Sequence, residues 1–180
     1  MKISNSKSLV LIGLIVVGSC AQSPINDTRP LDPTNKRWIT TGSIDLLIPN
    51  DFVELPVLTK DIATWKFGNE RMTLYVEAGA DIAEFSELRS FYQKQTDYKE
   101  HQIEINGVRA IAYTLFFAPK DLPPETIGGR KNVFRSGIYI PGSETRSRMK
   151  LALEGETKEV DALADQIFRS IKIRTNHPSN

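Results

Sequence analysis

The apolar positions of this chain change period several times, and each change marks an element. In residues 72–78, Met72, Leu74 and Val76 alternate with Thr73, Tyr75 and Glu77, the period of a half-buried strand. With residues 63–67 this segment predicts a hairpin around Gly68-Asn69-Glu70. Residues 38–41 and 43–48 predict two earlier strands, the second stopped by the turn cluster Pro49-Asn50-Asp51. The period then becomes helical. Ile82, Phe85, Leu88 and Tyr92 stack on one face, Asp81 stands at the N-cap position, and Glu84 and Glu87 lie where the helix dipole favours negative charge. The spacing predicts a helix over 82–95. Strands over 98–105 and 108–118 flank Asn106-Gly107, a dipeptide that accepts the positive φ angles of a type I′ turn. Residues 122–129 (LPPETIGG) predict a loop, and 132–140 with 145–153 a second hairpin across Pro141-Gly142-Ser143. A last helix over 157–170 places Val160, Leu163, Ala164, Ile167 and Phe168 on one side, and Ile171-Lys172-Ile173 predicts a short closing strand. Strands joined mostly by hairpins, with two helices, define an α+β class: an antiparallel sheet of six or seven strands packed by two helices.

One apolar run fits neither period. Lys2 and Lys7 precede residues 9–18 (LVLIGLIVVG), a basic segment followed by a short hydrophobic one, as in a secretory leader. Ten helical residues reach about 15 Å, half of a hydrocarbon core of roughly 30 Å. The run ends in Val17-Gly18-Ser19-Cys20, which resembles a bacterial lipobox. That resemblance implies cleavage before Cys20 and acylation of its sulfur. Cys20 is the only cysteine in the chain, and lipidation accounts for an otherwise unpaired thiol in an exported protein. Ala21 follows the cysteine, where an aspartate is associated with retention at the inner membrane. By the same resemblance the destination is the cell envelope, with the outer membrane facing the periplasm as the expected surface. The organisation that follows is a signal over 1–19, a lipidated Cys20 with a tether to residue 36 holding Pro24, Pro30 and Pro33, one domain over 37–174, and a frayed tail over 175–180.

Loss of Lys2 and Lys7 with the leader takes the formal net charge from +1 to −1. A near-neutral domain argues against bulk nucleic-acid binding, which needs a strongly basic surface. The expected partners are the membrane, through the lipid, and an envelope protein or anionic envelope component.

Three stretches carry a second resemblance. Ile44-Asp45-Leu46-Leu47-Ile48-Pro49 with Phe52, Asn106-Gly107 before a long central strand, and residues 164–173 (ADQIFRSIKI) are similar in order to the Mog1/PsbP-like and DcrB-like small proteins, many of them lipoproteins. That family often has tryptophan where Phe52 stands. The resemblance spans residues 43–173. It implies an α/β/α sandwich and a non-enzymatic role in assembly, accessory or chaperone-like work.

Searching for chemistry returns little. Ser147-Arg148-Met149-Lys150 matches S-x-x-K, but that nucleophile needs serine and lysine one helical turn apart, and here the tetrad falls in a predicted strand. The two histidines, His101 and His177, and one committed cysteine build no metal cluster, and no cofactor motif is present. Gly128-Gly129-Arg130-Lys131 reads as a flexible connection before an anion cradle. Trp38, Trp65 and Phe67 read as core or tether-docking residues before exposed recognition aromatics. The remaining constellation is basic: Arg146, Arg148 and Lys150 on one face of the 145–153 strand, with Lys131 and Arg135 on one face of its partner. The plainer reading pairs them with Glu154, Glu156 and Glu159. The functional one is docking to an anionic partner, in which case reversing Arg146 and Arg148 leaves thermal stability nearly intact. A different class of function is a small-molecule pocket between sheet and helix, gated by residues 122–129.

Overall fold

The computed structural model describes residues 35–57, 62–118 and 132–174. The leader, Cys20, the tether up to residue 34, the 122–129 loop, Lys131, His177 and the 175–180 tail lie outside the described residues, and Lys36, expected in the tether, opens the first strand.

Asn106 (φ 49°) and Gly107 (φ 78°) both take left-handed backbone and close the hairpin of β6 (Thr96–Ile105) and β7 (Val108–Phe117), so the expected turn forms. Around it runs a seven-stranded sheet in the order β3-β4-β5-β9-β8-β7-β6, every neighbouring pair antiparallel. Its other members are β3 (Val53–Glu54), β4 (Ala63–Gly68), β5 (Met72–Gly79), β8 (Val133–Ile140) and β9 (Arg148–Gly155). A separate small sheet has β2 (Ile44–Pro49) between β1 (Lys36–Thr41) and β10 (Lys172–Ile173).

Each face of the large sheet has its own cover. On one face, Tyr113, Leu115, Phe117, Val133 and Tyr139 pack with Ile82 and with Phe85 and Tyr92 of helix α1 (Phe85–Tyr92). On the other, Leu74, Val76, Ile138, Met149, Leu151 and Leu153 are fully buried. Helix α2 (Glu159–Arg169) lies against β8, β9 and β2, with Val160, Leu163, Ala164, Ile167 and Phe168 buried. Ile44, Leu46 and Ile48 of β2 are buried too, and Ser43 Oγ sits 3.6 Å from Met149 Sδ. A helix on each side of an antiparallel sheet is the α+β sandwich that the period changes predict.

Helix α1 ends earlier than expected, at Tyr92, and β6 begins earlier, at Thr96; three further differences have a local reason. Helix α1 starts at Phe85, four residues after the expected cap Asp81. Arg148 Nη1 takes the carbonyls of Ala80 (2.9 Å) and Ile82 (2.7 Å), and Glu84 is extended (ψ 148°), so the preceding turn cannot wind into the helix. Ile82 keeps its place in the core from outside the helix. Strand β9 starts at Arg148 because residues 143–146 close a tight turn, with Ser143 N donating to Arg146 O (2.8 Å) and Arg146 N to Ser143 O (3.3 Å). Strand β3, two residues long, carries no periodic signal to read. Just before it, Arg37 braces the turn by donating to the carbonyls of Asn50 (3.1 Å) and Phe52 (2.6 Å).

Candidate functional site

The cations picked out from the sequence are drawn inward. In the β8–β9 register Arg135 stands opposite Glu154 and Tyr139 opposite Lys150, which places Arg135, Arg148 and Lys150 on the face that α1 partly covers. Each meets a carboxylate there. Arg135 Nε donates to Glu154 Oε1 at 2.7 Å, and its guanidinium lies 4.8 Å from the Phe117 ring centroid. Lys150 Nζ is 2.6 Å from Glu77 Oε2, and Arg148 Nη2 is 2.5 Å from Glu84 Oε1. Glu154 is only 4% exposed, so its charge is held by the pair and not by water. Burial works against the Arg135 charge, yet the adjacent Glu154 carboxylate holds the guanidinium protonated well above its ordinary range. Arg146 leaves the stripe altogether: it sits in the 143–146 turn, where Nη2 donates to Pro141 O at 2.9 Å and the buried Nε has no hydrogen-bond partner. The stripe expected to greet an anionic partner is therefore a charge-balanced ladder built into the fold. Of the acids expected as counterions, Glu154 serves, whereas Glu159 pairs with Arg71. Lys150, engaged with Glu77, supplies no base to Ser147.

The opposite face holds a cavity. Helix α2 covers β8 and β9, but β6 and β7 run out beyond it, and their inward residues on that side include the small Ala110 and Ala112. A groove of about 320 Å³ remains between α2 and these strands. Its apolar surface comes from Ile103, Ile105, Ala112, Ala164 and Phe168, and its polar rim from His101, Thr114, Ser136, Asp161, Asp165 and Arg169. Ser136 Oγ donates to Asp161 Oδ1, and Arg169 Nε is 2.7 Å from Asp165 Oδ2. A smaller recess of about 180 Å³, with Lys99 and Lys158 at its walls, shares Thr114 and Asp161 with the groove.

This geometry suits binding. An apolar floor with a few polar groups at the rim is how small-molecule sites are made, and the volume lies at the lower end of their range. The Ser136 hydroxyl donates to the Asp161 carboxylate, which fixes both groups at the rim. Among the described residues no three His, Cys, Asp or Glu side chains stand together as a metal site. Sequence reasoning expected a pocket between sheet and helix but tied it to the 122–129 loop. The signal that points to these walls is the pair of alanines on the inner side of β7, where bulky residues fill the neighbouring strands.

No protein-family model matches the chain, and no curated protein matches it in sequence. Solved structures do share its fold. The Ran-binding protein Mog1p of Saccharomyces cerevisiae superposes with a TM-score of 0.52 at 11% identity, over 77% of this chain and 95% of that one. A mutant of the protein Mog1 gives 0.52 at 12% identity, over 79% and 97%. The chain is thus an α+β protein of the Mog1/PsbP-like fold, as the order of its motifs implies. At that identity the likeness speaks for the fold alone.

Proposed function

We propose that this chain is a lipid-anchored, non-catalytic binding module of the cell envelope, and that its ligand occupies the groove between α2 and β6–β7. The observation that carries this reading is the groove itself, an apolar-floored cavity on the face opposite the paired cations Arg135, Arg148 and Lys150. The rim has two carboxylates, Asp161 and Asp165, against one arginine. That balance favours a small amphipathic ligand with an apolar body and a cationic or hydrogen-bond-donating head. The non-enzymatic part of the reading is supported by a fold shared with a protein described as Ran-binding. The anchor is supported by the leader, the Val17-Gly18-Ser19-Cys20 motif and the lone thiol. Among the described residues no helix is long and apolar enough to cross a membrane.

The groove is tested with the fluorescent apolar probe N-phenyl-1-naphthylamine. The expected result is saturable binding, displaced by decylamine at least about tenfold better than by decyl sulfate, a preference of about 1.4 kcal/mol. Ala112→Trp fills the floor and removes binding while the melting curve stays cooperative. Probe binding unchanged in Ala112→Trp, or equal displacement by the two amphiphiles, overturns the assignment. The anchor is tested apart, by labelling cells with radioactive palmitate: label on the parent and none on Cys20→Ser is expected, and an unlabelled parent overturns it.

A further inference from the structure

We propose that the outer face of the small sheet, centred on Trp38, is a lipid-surface contact that rests on anionic headgroups. It takes its nearness to a membrane from the anchor argued above.

The register puts four groups on one side of this sheet. Trp38 of β1 stands opposite Leu47 of β2, Lys36 lies two residues before Trp38, and Lys172 of β10 stands opposite Asp45 of β2. Trp38 is 48% exposed, an unusual place for the largest aromatic side chain. Lys172 reaches across the sheet and sets its Nζ 4.3 Å from the Trp38 ring centroid. Among the described residues Lys36 Nζ donates to the neutral Gln166 Oε1, at 2.9 Å, and Arg174 pairs with Asp45 at 3.0 Å. Lys172 thus stands against the indole, Lys36 lies two residues along the same strand, and Arg174 is tied to the one carboxylate, Asp45.

An exposed indole framed by lysines is the chemistry of a bilayer interface. The ring settles at headgroup depth, and lysine stems lie along apolar surface while their ammonium groups reach phosphate. Each Lys or Arg near an anionic surface strengthens binding about fivefold. The position in the chain favours the same occupant. Strand β1 is the first described element, and Lys36 stands sixteen residues after Cys20. Sixteen residues, three of them proline, reach at most about 50 Å, which confines the patch near the leaflet at an effective concentration on the order of millimolar. A contact far too weak to recruit a free protein is then enough to orient a tethered one.

The test uses the lipidated full chain carrying Trp65→Phe, which leaves Trp38 as the only tryptophan. The protein is reconstituted in phosphatidylcholine vesicles with and without phosphatidylglycerol, and emission is compared with vesicles whose lipids carry bromine near the glycerol backbone. The expected result is about a twofold loss of Trp38 emission with phosphatidylglycerol, largely abolished in the Lys36→Glu/Lys172→Glu variant and in high salt. Flotation in high salt reports the anchor independently. A chain that floats with unquenched Trp38 overturns the surface contact and leaves the anchor standing. Quenching in low salt by a chain that does not float in high salt overturns the anchor and supports the contact. Quenching that ignores phosphatidylglycerol overturns the assignment to anionic headgroups.

Discussion

The ring of Tyr113 lies across Gly137, its cross-strand partner, so closely that a β-carbon there would stand 2.2 Å from the tyrosine Cζ. The ring cannot withdraw. Tyr92 stacks on it at 4.9 Å between centroids, and Phe85 tilts against it at 5.9 Å. Glycine is therefore required at residue 137 by the thickness of an aromatic ring, with no demand from backbone φ. Gly137→Ala is expected to destabilise the fold by about 1–3 kcal/mol through overpacking, a fall in Tm of roughly 4–10 °C for a chain of this size. Tyr113→Leu in the same molecule relieves part of that cost, so the double variant loses less than the sum of the singles in a urea-denaturation cycle. Additive losses would mean that the two residues do not share this contact.

Arg148 decides between the two readings of the basic stripe. Its guanidinium ties β9 to the segment ahead of α1 through Glu84 and the carbonyls of Ala80 and Ile82. Arg148→Glu removes both donors and sets like charges together, so it is expected to cost about 2 kcal/mol in urea denaturation at neutral pH. Glu84→Gln removes only a half-exposed ion pair and is expected to cost under about 1 kcal/mol. A residue kept for docking would show the reverse, lost capture with unchanged stability. A wild-type denaturation midpoint for Arg148→Glu removes the bracing role.

Tyr98 offers a pH test. Its hydroxyl donates to Glu100, which also receives Arg89 Nε at 2.9 Å. Burial first, then the bond to Glu100 and the charge of that carboxylate, push the Tyr98 phenol up to about 12. The folded state thus keeps a proton that the unfolded chain releases near pH 10. The associated stability is fully present below pH 10 and is lost as pH rises toward 12. Alkaline titration followed by phenolate absorbance should show one tyrosine ionising near pH 12, and Glu100→Gln should move that step to lower pH. An unmoved step would mean that the carboxylate has no part in the shift.

How far the sequence reveals this architecture depends on the range of the interaction involved. Asn106-Gly107 carries its own turn geometry, and the apolar side of α2 is written in consecutive residues, so both are legible. Met72, Leu74 and Val76 announce a half-buried strand, but nothing in them says that β5 will pair with β9 across more than seventy residues. The counterions of the cation stripe are hidden for the same reason. Arg148 and Lys150 do share a face, yet their partners Glu84 and Glu77 come from a distant part of the chain that only the sheet order brings near. The general habit of tryptophan argues for a buried Trp38, whereas its exposure follows from its place on the edge strand β1 of the small sheet. The groove could be named as a class, between sheet and helix, but its walls required knowing how far β6 and β7 extend beyond α2.

The return of β10 to β2 has a consequence for the order of events during synthesis. The strand made near the start of the domain acquires its second neighbour only from residues 172–173, and the β4–β5 hairpin keeps an open flank until β9 has been made. Neither sheet is complete before residues 172–173 and β9 have been made, so a nascent polypeptide of this type stays threadable until then, and it pairs through contacts of long sequence separation that form slowly.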